Sequence, residues 1–252
     1  MNVNFDFSGK NFVVVGASSG IGKQTAIELA KSDANVLAIG RNVERLEEVK
    51  SNCPEKIFTV SLDVIDAEPE DWTTIVTKFI GNVGKIDGGV YSAGIVGLTP
   101  LNSFDRELAH KIFDTSFWGM INFMQVAAKK KISNAGSSFV LMSSLAADFG
   151  TKSLFAYSAA KAAVKAAVKP IAKEIIRNRH RINTVSPAMV KTDMLGNIAY
   201  ESEIGAAEMA RYLLGLGKPD EISGLILFLL SDRAGWITGQ DFSLDGGYLL
   251  SM

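Results

Sequence analysis

Seven short apolar runs separated by longer helical stretches constrain this chain more than any other feature. The runs are 11–16 (NFVVVG), 35–40 (NVLAIG), 56–63 (KIFTVSLD), 87–93 (DGGVYSA), 138–144 (SFVLMSS), 181–187 (RINTVSP) and 240–246 (QDFSLDG). Most are apolar at consecutive positions, so each strand is expected to be covered on both faces. Parallel strands need crossovers, and the helical segments between the runs supply them. The pattern predicts an α/β fold, a doubly wound parallel sheet of about seven strands in a three-layer α/β/α sandwich. No linker or composition break divides the chain, so residues 1–252 read as a single domain.

The 47% hydrophobic content is enough for a large core, and a net charge of -1 with interspersed signs excludes a broad nucleic-acid or anionic-membrane footprint. The single cysteine, Cys53, excludes an internal disulfide framework and fits a reducing compartment. The opening residues carry Asp6 and no apolar run, unlike a secretory signal. The longest wholly apolar stretch, 225–230, falls far short of the roughly 20 residues that span a bilayer. A cytoplasmic protein without membrane contact is expected.

Directly after the first run comes GASSGIG, comprising Gly16, Ala17, Ser18, Ser19, Gly20, Ile21 and Gly22, and a helical segment follows. Glycines there admit a tight turn and close approach of a pyrophosphate, while the helix N-terminus supplies N–H groups and partial positive charge. The spacing departs from G-x-G-x-x-G, and alone it would mark only a turn; its strand and helix flanks turn it into a Rossmann-type dinucleotide site. At the end of the second run an NAD site would carry an acidic residue. Gly40 stands there, followed by Arg41, which can pair with a 2′-phosphate. NADP(H) is therefore expected ahead of NAD, although Arg41 also reads as an ordinary surface residue. Asp63 can reach the adenine or cap a turn.

YSAAK at 157–161 places Tyr157 and Lys161 four apart, on one helix face. A free phenol titrates near pH 10. The ammonium is expected to lower the cost of its anion and make Tyr157 a usable acid. Ser144 lies thirteen residues before Tyr157, at the end of the fifth run, where such sheets bind ligands. Its hydroxyl, or that of adjacent Ser143, can hold a carbonyl oxygen. These groups suit hydride transfer between a nicotinamide and a carbonyl, with proton transfer by Tyr157.

In GASSGIG, LDV (62–64), SAG (92–94), SS (143–144), YSAAK, SPAMVKTDM (186–194) and the closing KPDEI…FLLSD…ITGQDFSLDGGY (218–248), the chain resembles the short-chain dehydrogenase/reductase family over essentially its whole length. Within it, the 3-oxoacyl-carrier-protein reductases are most similar. The resemblance selects Ser144 over Ser143, and adds Val64, Ala93 and Gly94 to the cofactor residues. It also implies that Pro187, Val190 and Thr192 lie near the nicotinamide and its phosphates. The implied activity is NADPH-dependent reduction of a ketone, of which a 3-oxoacyl thioester is one candidate. The alternatives are an NAD-dependent alcohol dehydrogenase and a non-catalytic NADP-binding sensor. A homodimer or homotetramer is implied, with acyl carrier protein as a candidate partner.

Three departures stand out. Tyr91 and Ser92 replace the family's Asn pair, implying an altered wall of the cofactor groove; Ala188 replaces a glycine; and Ser116 replaces the fourth catalytic residue, an Asn that holds a water beside the lysine. Pro170 is expected to kink or interrupt its helix. His110 and His180 read as surface residues, and no metal site is expected. Arg177, Arg179 and Arg181, like Lys129, Lys130 and Lys131, read as complements to helix dipoles, with a docking patch for an acidic carrier as the sharper reading. Trp72, Trp118 and Trp236 read as packing residues, and the alanines of 156–169 as a subunit contact. A substrate lid is expected at about 192–214, carrying Met194, Leu195 and Ile198, with Ala146, Phe149 and Met189 in an apolar pocket.

Overall fold

The computed structural model describes residues 4–195 and 209–251. Its seven strands are β1 (Asn11–Val15), β2 (Asn35–Gly40), β3 (Ile57–Ser61), β4 (Ile86–Tyr91), β5 (Ser133–Met142), β6 (Arg181–Pro187) and β7 (Asp241–Leu244). They form one sheet in the order β3-β2-β1-β4-β5-β6-β7, and all pairs are parallel. This is the doubly wound single domain expected from the alternating runs. β1 pairs with β2 on one side and β4 on the other, so the chain reverses direction across the sheet at the C-terminal edge of β1. A crevice opens at such a reversal.

The helices are α1 (Gly20–Lys31), α2 (Val43–Lys50), α3 (Pro69–Val83), α4 (Arg106–Phe113), α5 (Gly119–Ala127), α6 (Phe155–Ile175) and α7 (Pro219–Leu230). Strand alternation divides the core into two layers. Phe12 and Val14 of β1 face Ala26, Leu29, Ile226 and Leu229 of α1 and α7. Val13 and Val15 face Trp72, Phe123 and Val164 of α3, α5 and α6. Every side chain of β1 is buried.

Several expectations need correction. β5 begins at Ser133, earlier than the apolar run at 138, because Ser133 pairs with Ile86 before an irregular stretch restores pairing at Gly88 and Ser138. His180 is wholly buried: its Nε2 lies 3.2 Å from Ser133 Oγ and its ring meets Phe139 edge-on. Burial pushes its pKa below the ordinary histidine range. Arg181 is also buried, and it donates to Leu229 O and Ser231 O, satisfying carbonyls at the end of α7 rather than those of its own preceding helix. Trp72 packs at 0% exposure and Trp118, 55% exposed, sets its ring edge-on to Phe117 at 4.9 Å, but Trp236 is 100% exposed and is not a packing residue among the described residues. α6 runs uninterrupted through Pro170. Pro170 and Ala166 are exposed, which leaves the carbonyl released by the missing N–H open to water.

Candidate active site

A cleft of about 830 Å³ lies over the C-terminal ends of the strands. Its cofactor end is shaped by backbone contact. Gly16 follows β1 with φ 81°, and a Cβ there would stand 2.6 Å from Ala93 N, so the turn and the segment after β4 can touch only through glycine. A Cβ on Gly22 would stand 2.2 Å from Gly16 O. Gly22 therefore does not line the cleft, contrary to its assignment as a cofactor contact; it lets α1 pack against the turn. Ser18, Ser19, Gly20 and Ile21 do line it, with Val64, Ala93, Gly94, Pro187, Val190 and Thr192. The Ser19 side chain makes no capping hydrogen bond, and the first turn of α1 has no acidic residue. That N-terminus presents N–H groups and partial positive charge to the cleft, which suits a pyrophosphate.

Arg41 leaves the end of β2 and its Nη1 lies 3.6 Å from Asp63 Oδ2, while Asp63 Oδ1 accepts from Ile65 N at 3.1 Å. Asp63 thus caps its own turn and faces Arg41. One turn into α2, Arg45 Nη1 donates to Asp193 Oδ2 at 2.9 Å, joining that helix to the residue after Thr192.

Tyr91 does not form a wall of the groove. It is 2% exposed within the helical layer, and its hydroxyl donates to Thr115 O at 2.7 Å. Residues Asp114–Trp118 form a π-helical turn between α4 and α5. Such a turn breaks the i→i−4 ladder, and the phenol takes up a carbonyl within it. A Cβ on Gly119 would lie 2.4 Å from the Tyr91 oxygen, so this phenol and this glycine depend on each other. The turn carries Ser116, whose Oγ is buried without a hydrogen-bond partner and sits behind Gly94, not on the cleft wall.

Ser144, Tyr157 and Lys161 all reach the cleft. The two adjacent serines separate clearly. Ser143 Oγ donates to Lys161 O at 2.9 Å, whereas Ser144 Oγ accepts from Ala146 N at 3.2 Å and acts on the Tyr157 phenol. Lys161 is 4% exposed, its Nζ donates to Met142 O at 2.9 Å, and it lies 5.9 Å from the Tyr157 ring centroid. The expected lowering of the phenol by this ammonium is not found. Burial pushes Tyr157 upward, opposed by Ser144, and burial pushes Lys161 down to about 8. At neutral pH the phenol therefore holds its proton and the lysine remains mostly charged. That state suits a proton donor beside a cation that stabilises the resulting phenolate.

The far end of the cleft is apolar. Leu145, Tyr212 and Tyr248 are buried together, with Phe149, Ala188 and Met189 packed against them. The Tyr248 ring lies 5.7 Å from Phe149 and 4.8 Å from Tyr212. Phe149, Met189 and Ala146 line the cleft as expected and Met194, expected on the lid, borders it too, but sequence reasoning missed Tyr212, Tyr248 and Arg211. The available signal was the closing DGGY, whose Gly246 carbonyl accepts from Leu214 N at 2.9 Å and ties the two segments together. Of the expected lid, Ile198 and the rest of 196–208 lie outside the described residues. Among the described residues there is no cluster of three metal-ligating side chains, and no helix is long and apolar enough to cross a membrane.

A sequence profile described as Enoyl-(Acyl carrier protein) reductase matches residues 16–249. D-erythrulose reductase of Gallus gallus is 31% identical over 254 residues, covering 100% of both chains. The 3-oxoacyl-[acyl-carrier-protein] reductase of Thermotoga maritima is 30% identical over 248 residues, covering 96% of this chain and 98% of that one. Among solved structures, a glucose/ribitol-type dehydrogenase of Brucella melitensis superposes with a TM-score of 0.90 at 28% identity, covering 98% of this chain and 99% of the other.

Proposed function

The chain belongs to the short-chain dehydrogenase/reductase family of oxidoreductases, and on that premise we propose that it uses NADPH to reduce a ketone to an alcohol, with Tyr157 as the proton donor. One observation carries this reading: a protonated Tyr157, Ser144 beside it and the uncapped N-terminus of α1 share a single cleft. Gly16, Ser18, Ser19, Gly20 and Ile21 would hold the pyrophosphate, and Arg41 the 2′-phosphate. Val64, Ala93, Gly94, Pro187, Val190 and Thr192 would line the rest of the dinucleotide path. The bound dinucleotide supplies a hydride to the carbonyl carbon.

Ser144 and Tyr157 hydrogen-bond the carbonyl oxygen and set it at the cleft centre. As charge builds on that oxygen, the Tyr157 O–H bond breaks and its proton passes to the oxygen, leaving a phenolate. Lys161 stabilises that phenolate across the 5.9 Å to the ring. Solvent then returns a proton to Tyr157. Ser116 is assigned to the route behind Lys161 because both groups stand against Gly94. The segment 192–214 is assigned as the substrate lid, and exposed Ala159 and Ala166 on α6 support a homo-oligomeric contact.

NADPH consumption with a panel of ketones, including carrier-bound and CoA-bound 3-oxoacyl thioesters, tests the reading. Turnover of at least one ketone is expected. The unpartnered Ser116 hydroxyl favours a second reading, a protein that binds NADP without turnover. Tight NADPH binding with no consumption on any ketone would select it. Parallel NADH and NADPH titrations test the cofactor assignment, and equal affinities would defeat it.

A further inference from the structure

Three segments meet at the reacting groups: the turn after β5 carries Ser144, α6 carries Tyr157 and Lys161, and β6 ends at Pro187. One cation joins all three. Lys165 lies on α6 one turn beyond Lys161, and its ammonium donates to Asp148 Oδ2 and lies 3.0 Å from Asp241 Oδ2. Asp241, the first residue of β7, uses its other oxygen to accept from Thr184 Oγ1 at 2.7 Å and from Ser186 Oγ at 2.6 Å, so the bridge reaches β6 one residue before Pro187. Asp148 closes the short helical turn Leu145–Ala147 that Ser144 opens. Ala147 N donates to Ser144 O and Asp148 N to Leu145 O, both at 3.0 Å, while Ser144 Oγ accepts from Ala146 N. Residues 144–148 are thus tied into one turn, and pinning Asp148 fixes where the Ser144 hydroxyl stands. Charge makes the pin stronger than an ordinary ion pair. Two carboxylates bonded to one ammonium lie close together, and each favours the other's charge only while the cation stands between them. Asp241, 16% exposed, is anchored by its two hydroxyls; Asp148, 46% exposed, is the one that can move. A lone surface pair contributes little, but loss of this cation would leave two carboxylates repelling each other, and the Ser144 turn would yield.

We propose that Lys165 is a positioning residue for the reduction: by holding Asp148 and Asp241 on one ammonium it keeps the Ser144 turn in register with the helix that presents Tyr157. This rests on the reductase reading and adds to it a residue that acts only through Ser144. Removing the cation should therefore do more harm than removing one carboxylate, and removing a carboxylate as well should undo part of that harm.

The test measures ketone reduction, NADPH affinity and hydrogen exchange of the backbone amides of 146–149 for the wild type, Lys165→Met, Lys165→Arg, Asp148→Asn and the double variant of Lys165→Met with Asp148→Asn. Lys165→Met should lower kcat about tenfold, within what a small misplacement of a positioned group costs, and leave the NADPH dissociation constant within about twofold. Its amides at Ala147 and Asp148 should exchange faster. Lys165→Arg, which keeps the cation, should retain most of the kcat. Asp148→Asn alone should do less harm than Lys165→Met, and the double variant should recover much of the lost kcat and amide protection. In a Ser144→Ala background Lys165→Met should cost little more, because the group it positions is already gone. Full kcat in Lys165→Met, a double variant no better than Lys165→Met, or an undiminished further loss in the Ser144→Ala background would overturn the proposal and leave the reductase reading intact. Amide exchange needs no turnover and separates the two failures. Protection lost in Lys165→Met and recovered in the double variant, in a protein that reduces no ketone, would keep Lys165 as the pin of this turn and discard the reductase. Unchanged exchange in Lys165→Met would discard the pin.

Discussion

At its cofactor end the cleft is lined by residues at or just past the ends of neighbouring strands: Gly16 and Ser18 to Ile21 after β1, Gly40 at the end of β2 with Arg41 after it, Leu62 to Val64 after β3, and Ser92 to Gly94 after β4. At its substrate end Leu145, Phe149, Met189, Tyr212 and Tyr248 come from separated segments and meet only by packing. The first end is a backbone surface, set by sheet register and by places where no Cβ fits. The second is a side-chain surface, set by volume and ring geometry. Substitutions should therefore behave differently at the two ends: sharply and through cofactor binding at the first, gradually and through substrate KM at the second.

The largest effect is expected from Gly22→Val, because even the first added carbon would meet a backbone oxygen at 2.2 Å. NADPH binding should be lost, and thermal unfolding should show a destabilisation of about 1–3 kcal/mol, the usual cost of overpacking. Unchanged binding would mean that α1 can shift freely and that the backbone description of this end is wrong.

Next in size is the effect of alkaline pH. Burial holds Lys161 near a pKa of about 8, so the kcat/KM for NADPH should fall as pH rises through that value and the ammonium is lost. Lys161→Met should have low activity and a flat profile. Stability should move in the opposite direction. The unfolded chain binds the lysine proton more tightly than the folded one, so Lys161 makes the fold more stable as pH climbs from about 8 toward the ordinary lysine value. Activity and stability curves that rise together would contradict the assignment.

Arg41→Ala should weaken NADPH by about 10- to 100-fold and leave NADH little changed, as loss of one charge-assisted contact predicts. Phe149→Ala sharpens the contrast from the other end. The half-buried ring should cost about 1–2 kcal/mol in stability, raise KM for ketones and leave NADPH affinity alone.

The same contrast explains how much could be read in the sequence. β1, the glycine turn and the start of α1 are contiguous, and their chemistry follows from local spacing. The pair Tyr157 and Lys161 was legible because a helix fixes which residues share a face. Tyr91 was not: its hydroxyl reaches a carbonyl in a π-helical turn twenty-four residues away, and nothing local announces such a turn. Arg181 looked like the end of one helix because it follows Arg179, yet it serves the carbonyls at the end of α7, forty-eight and fifty residues on. His180 looked exposed among charges but closes a buried contact with Ser133. Tyr212 and Tyr248 stayed hidden because only the packed structure brings them to Leu145, and Arg211 because it reaches the cleft beside Tyr248.

The central proposal, proton donation by Tyr157, is tested most directly by Tyr157→Phe, which removes one oxygen and keeps the ring that packs against Ile112 and Ala160. Ketone reduction should fall by at least about a hundredfold, the scale of a general acid, while the NADPH dissociation constant stays within about twofold. A variant that still reduces ketones at close to the wild-type rate would contradict the account.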